Sequence, residues 1–165
     1  MQIIQTYLLF SMLAVMWFDA TRFIIPNWLV GSLLIVYPIA VWMSPMPMEW
    51  KMALLGAGIV FAAGFIVFAL KWMGGGDIKL LIASALWAGW HNLLEYIFTV
   101  AVLGGILSVV LWLGRKIIPH IPRKKGTSLP RILQEGEPAP YGLAIAVAFL
   151  IFLAQGKIPG VVAPF

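Results

Sequence analysis

Two aspartates are the residues whose chemistry needs explaining. Of six acidic residues in the chain, Glu49 and Glu95 fall near one boundary of the oily stretches, and Glu135 and Glu137 lie in a long basic segment. Asp19 in "MWFDATRF" and Asp77 in "GGGDIKLL" instead abut hydrocarbon. An acid inside a membrane span costs about 2.5–3.5 kcal/mol at the centre and less near the edge, so each counts by default as a functional candidate. Two carboxylates in contact cannot both ionise easily and share a proton. The ionised member takes a proton from water while the protonated one donates to a carbonyl oxygen or a leaving amine. That is amide hydrolysis without a metal or a side-chain nucleophile. It needs water, which the edge of a bilayer supplies. The glycines before Asp77 would let a substrate backbone lie close to it and let the loop move.

Structural roles compete with this reading. Asp77 is placed to cap the helix that follows it. Asp19 ends a helix, where the dipole disfavours an anion by about 0.3–1 kcal/mol, and Arg22 is placed to relieve it. These helix ends suggest Asp77 as the base and Asp19 as the acid. In "ATRFIIPNWLV" Pro26 disfavours helix at Ile25, and Asn27 is a good cap for the next span.

The elements that must position the pair are membrane helices. The 165 residues are 62% hydrophobic and 10% charged, with a mean hydropathy of +1.00, whereas soluble domains carry about 45–50% apolar and about 25% charged residues. A single domain over residues 1–165 is expected at this length. There is no cysteine, which excludes disulfides, Cys-ligated zinc and iron–sulfur clusters. His91 and His120 lie in different polar breaks, so neither a metal nor another cofactor is expected.

Spans of about 17–25 residues fit at 2–18, 28–44, 50–71, 76–91, 95–114 and 139–156, and the first lacks the basic start and cleavage site of a signal peptide. The fourth is weak, because its uninterrupted apolar run, Leu80 to Trp90, is 11 residues, and a re-entrant segment is the alternative. Charge decides between them. With six crossings, nine of the eleven basic residues share one side: Arg22, Lys71, Lys79, Arg115, Lys116, Arg123, Lys124, Lys125 and Arg131. Only Lys51 and Lys157 fall on the other. The positive-inside rule makes the first side cytoplasmic. The expectation is therefore an all-α protein of six transmembrane helices, both termini on the outer side, with Asp19 and Asp77 at the cytoplasmic boundary. Trp28, Trp50, Trp72, Trp90 and Trp112 sit near the span ends as interfacial anchors.

At this point the residues resemble a family. "DATRFIIPN" at 19–27 is similar to the D-x5-I-P-N element of the type IV prepilin peptidases, and "GGGDIKL" at 74–80 to their G-x-G-D-x-K-L motif. "PYGLAIA" at 140–146 resembles a third stretch that follows a basic loop, and all three occur in the family's order. The resemblance implies a six-span inner-membrane aspartic protease that removes the short basic leader of prepilins on the cytoplasmic side. It maps Asp19 and Asp77 onto the catalytic pair, with Pro26 and Asn27 completing the first motif and Gly74, Gly76 and Lys79 the second. Larger members carry paired C-x-x-C elements and methylate the new N-terminus. This cysteine-free chain resembles the short, peptidase-only branch that serves Flp (tight-adherence) pili.

Other stretches are read alongside. The basic loop at 115–138, with "RKIIPHIPRKKG", lacks interleaved aromatic residues, so nucleic acid is not expected. Its cations at 115–131 suit anionic lipid headgroups, at about 1 kcal/mol each near the surface. Pro140, Tyr141 and Gly142 are candidates for a substrate wall, or only the entry to the last span. Small residues at 54–65 and 102–109 mark faces where helices pack closely. Three rivals remain open: a small transporter or proton channel using the two acids, a non-catalytic subunit of a secretion or pilus machine in which they are caps, and another G-x-G-D protease related to signal-peptide peptidase.

Overall fold

The computed structural model describes residues 2–45, 47–117, 131–133 and 139–161. Five α-helices account for most of them: α1 (Gln2–Arg22), α2 (Asn27–Met43), α3 (Trp50–Ala69), α4 (Gly75–Ile117) and α5 (Tyr141–Ala154), with a 3₁₀ turn at Arg131–Leu133. Three of them, α1, α3 and α4, are long and apolar enough to cross a membrane, while α2 and α5 are shorter apolar helices. Large side chains point outward without protein cover, Trp42, Leu94 and Ile3 each being more than four-fifths exposed. That suits hydrocarbon and not water, and with these long apolar helices the chain reads as a multi-pass membrane protein.

The expectation of six transmembrane helices is corrected: the described residues form five α-helices, three of them long and apolar enough to cross a membrane. The polar stretch "HNLLE" does not break the chain where the hydropathy reading put a turn, and helix continues through it to Ile117. Its polar groups are met from other elements: His91 Nε2 lies 3.1 Å from Glu49, Asn92 Nδ2 donates to the Lys157 carbonyl at 2.7 Å, and Lys157 pairs with Glu95. The placement of both termini on the outer side rested on six crossings and falls with that count. The basic loop also starts later than expected, since Arg115 to Ile117 belong to α4. Most of that loop, 118–130 and 134–138, lies outside the described residues.

α4 is nonetheless not straight. Gly89 has φ 74° and ψ 170°, far from helical values. Beyond it the helix turns back, because residues on both sides of Gly89 lie beside the start of α5: the Gly142 N–H faces Asp77, and Gly104 packs on Tyr141. Its middle lies beside the segment after α5, where a Cβ added to Gly89 would stand 2.8 Å from Pro159 Cγ. Glycine meets both demands at once, a positive φ and a close neighbour.

The interior is built on aromatic residues of α4 and α5. Trp87 is fully buried, stacks edge-on against Tyr37 at 5.2 Å and donates its indole N–H to the Leu33 carbonyl at 3.0 Å. This bond ties α4 to α2 close to Pro38. Tyr96 is likewise buried against Phe149 and Phe152, its hydroxyl 3.3 Å from the Ile145 carbonyl. Both rings thus satisfy their polar atom on a carbonyl of a neighbouring helix, as an interior without water demands.

Gly89→Ala is expected to destabilise the protein by about 1–3 kcal/mol from backbone strain alone, before the collision with Pro159. The readout is a lower thermal midpoint in detergent and less protein in the membrane. Gly105→Ala, whose added methyl meets nothing within 4 Å, is expected to leave both unchanged.

Candidate functional site

Asp19 occupies the last turn of α1, where Arg22 ends the helix and Phe23 closes it in a left-handed conformation (φ 54°), its N–H returning to the Asp19 carbonyl at 3.0 Å. The side chain is buried, 4% exposed. It faces the first turn of α5, where the Leu143 N–H donates to Oδ2 at 2.9 Å and the Gly142 N–H points to the same carboxylate. α5 offers no side-chain cap of its own, Pro140 standing at its N-cap position. Its first-turn N–H groups therefore take the carboxylate of another helix in place of a cap, Leu143 sharing its N–H between Asp19 and the Pro140 carbonyl.

Asp77 is the third residue of α4, half-buried, and reaches back toward the Gly74 N–H. It was expected as the cap itself. It acts instead as the third-position partner in a capping box, with a glycine at the cap. Its other backbone donor is again Gly142. One N–H on α5 thus stands between two carboxylates drawn from α1 and α4. This approach leaves no room for a side chain: a Cβ on Gly142 would lie 2.7 Å from Ile25 Cδ1 and 2.8 Å from Asp19 Oδ2. On the other flank, a Cβ on Gly64 of α3 would lie 2.8 Å from an Ile78 methyl, so α3 seats the turn that carries Asp77.

The two acids border one cavity of about 1010 Å³. Gly74, Gly76, Asn27, Lys79, Pro140 and Tyr141 line it too, with an apolar side from Phe23, Ile24, Phe68, Trp72 and Met73. Pro26 stands outside the lining as the N-cap residue of α2. Asn27 was expected as that cap. It is instead the first helical residue, and its side-chain oxygen accepts from Lys79 Nζ at 3.3 Å, joining the two motifs across the cavity. Lys71, also on the rim, takes a left-handed φ of 58° in the turn that ends α3. The equivalent turn after α5 uses Gly156 (φ 66°), the usual residue for it.

Two features were not visible as side-chain motifs. Gly142 was anticipated as a wall, and its N–H is what faces both acids. Leu143 was not anticipated at all, because its part is played by the backbone. The signal available was the Pro-Tyr-Gly entry to an uncapped helix. The finding also removes the basis for separating acid from base by helix ends, since Asp19 meets a helix N-terminus just as Asp77 does. Among the described residues no three of His, Cys, Asp and Glu converge as metal ligands would.

No curated protein and no solved structure matches the chain. Residues 6–109 match the type IV leader peptidase family, a stretch holding both aspartates with Pro26, Asn27, Gly74, Gly76 and Lys79. That match spans more than half of the sequence, and with the multi-pass helical architecture it assigns a leader-peptidase role: the chain belongs to the type IV leader peptidase family.

Proposed function

We propose that the chain removes the leader of a Flp-type prepilin by aspartic hydrolysis, with Asp19 and Asp77 as the catalytic pair. The observation that carries this reading is the shared donor: carboxylates 58 positions apart in sequence face the same Gly142 N–H at the edge of one cavity. In the proposed reaction the pair holds one proton. The ionised carboxylate takes a proton from water as the water oxygen bonds to the scissile carbonyl carbon. The other carboxylate protonates the carbonyl oxygen. As the tetrahedral intermediate collapses, the C–N bond breaks, the first carboxylate returns its proton to the leaving amine, and the second takes back a proton from a gem-diol hydroxyl as the carbonyl re-forms. Each acid ends as it began.

The cavity supports a substrate of mixed character. Phe23, Ile24, Phe68 and Trp72 suit an apolar segment, and the acids with the Asn27–Lys79 pair suit the polar scissile region. Lys71 and Lys79 line the cavity and Arg22 ends the helix turn that carries Asp19, and this basic rim supports a cytoplasmic site in the inner membrane. The absence of cysteine supports the peptidase-only branch. The cations at 115–131 are proposed to bind anionic headgroups.

Asp19→Asn and Asp77→Asn are each expected to lower leader removal by about 10²–10⁴-fold. The check is a gel shift on co-expressed Flp-type prepilin, with equal accumulation of each variant in the membrane. Cleavage by both variants would return the acids to caps. Gly142→Ala keeps both acids but displaces Asp19, and a loss of about hundredfold is expected for a misplacement of this size. In proteoliposomes, exchanging Arg123, Lys124 and Lys125 for Gln is expected to remove any dependence of activity on anionic lipid. Unchanged dependence would dismiss the headgroup contact.

A further inference from the structure

α5 presents its first turn to both carboxylates, and locally only backbone bonds shape that turn, Tyr141 N–H to the Ala139 carbonyl and Leu143 N–H to the Pro140 carbonyl. It has no side-chain cap, and it follows a long connection from α4. Its Leu143 N–H is nevertheless set 2.9 Å from Asp19 Oδ2. The last part of α4 supplies the support. Gly104 leaves a flat spot on the helix: a Cβ there would stand 2.7 Å from Tyr141 Cε1 and 3.1 Å from Cδ1, so the tyrosine ring lies directly on the glycine. A Cβ on its neighbour Gly105 would meet nothing within 4 Å. One turn on, Ser108 Oγ donates to the Gly104 carbonyl at 2.8 Å and lies 3.2 Å from the Tyr141 hydroxyl. The serine has one hydrogen and commits it to that carbonyl, so the tyrosine is the donor to Ser108. Residues 104 and 108 share a face of the helix, and so does Arg115, whose guanidinium holds the Ile132 carbonyl by two bonds of 3.2 and 3.0 Å.

We propose that Gly104, Ser108 and Tyr141 form a seat that sets the depth of the first turn of α5, and through its Gly142 and Leu143 N–H groups orients Asp19 and Asp77. They are positioning residues for the hydrolysis. The inference rests on the reading of the two aspartates as the catalytic pair. Tyr141 immediately precedes Gly142, so a slide of its ring moves both donors together. Tyr141 also lines the cavity, whereas Ser108 does not. This difference separates positioning from substrate contact: a wall residue acts on KM, and Ser108 has no route to the reaction except through Tyr141.

The test is steady-state cleavage of a Flp-type prepilin by the full chain in proteoliposomes, comparing wild type, Tyr141→Phe, Ser108→Ala, the double variant and Asp77→Asn, with thermal midpoints for each. The single variants are each expected to lose about tenfold in kcat at unchanged KM, as a displacement of under 1 Å would produce. The double variant is expected to lose no more than either single, because one bond is removed in all three. A rise in KM for Tyr141→Phe with Ser108→Ala silent would overturn the seat in favour of a wall. Wild-type kinetics in both, or losses that add, would overturn it also. If Asp77→Asn still cleaves, the catalytic pair itself has failed. If Asp77→Asn is inactive and the seat variants are unaffected, only the seat has failed.

Discussion

A carboxylate set among membrane helices has to find its hydrogen-bond donors inside the protein, because hydrocarbon offers none. Asp19 finds them in the backbone of a helix whose first turn lies 124 positions later in the chain. Much else in the architecture follows from that bond. α5 begins uncapped so that its N–H groups are available. Gly142 has no side chain because the carboxylate occupies the space one would need. The same N–H faces Asp77, so satisfying one buried acid brings the second to it.

Holding three helix ends at one point requires close packing, and small residues supply it. Gly64 admits Ile78, Gly104 admits Tyr141, and Gly56 admits Leu93. In a membrane, where apolar surfaces gain nothing by leaving lipid, such contacts are a main source of helix association. A Cβ at Gly58 or Gly105 would meet nothing within 4 Å, so the glycine-rich look of α3 and α4 overstates how many of these positions are packing sites. The bend at Gly89 completes the arrangement by sending the rest of α4 back toward α5.

Composition announces the apolar helices, and their approximate limits are readable to within a few residues for α1, α2, α3 and α5. The two acids are readable as well, since charge beside hydrocarbon is conspicuous. What hydropathy misread is the middle of α4. It treats His91, Asn92 and Glu95 as a break, whereas Glu49 and Lys157, distant in sequence, absorb that polarity and let the helix continue. The actual departure from helix is at Gly89, inside an apolar run. The caps failed for a related reason. Asn27 and Asp77 are the right residue types near helix starts, but Asn27 meets Lys79 of another helix, and Asp77 caps from the third position while also facing Gly142 of α5. The backbone donors of α5 were the least visible, because a main-chain N–H has no signature in a sequence.

The bond between Asp19 and Leu143 also orders events in time. Asp19 leaves the ribosome well before its donor Leu143, which lies 124 positions later in the chain. Until α5 has been made and inserted, one carboxylate of the pair is without its backbone partners and the Gly142 N–H cannot stand between the two. A nascent chain can therefore contain every acidic residue of the site and still lack the site. Whatever the assembled cavity does therefore waits on α5, the helix that brings the Leu143 and Gly142 N–H groups to the carboxylates.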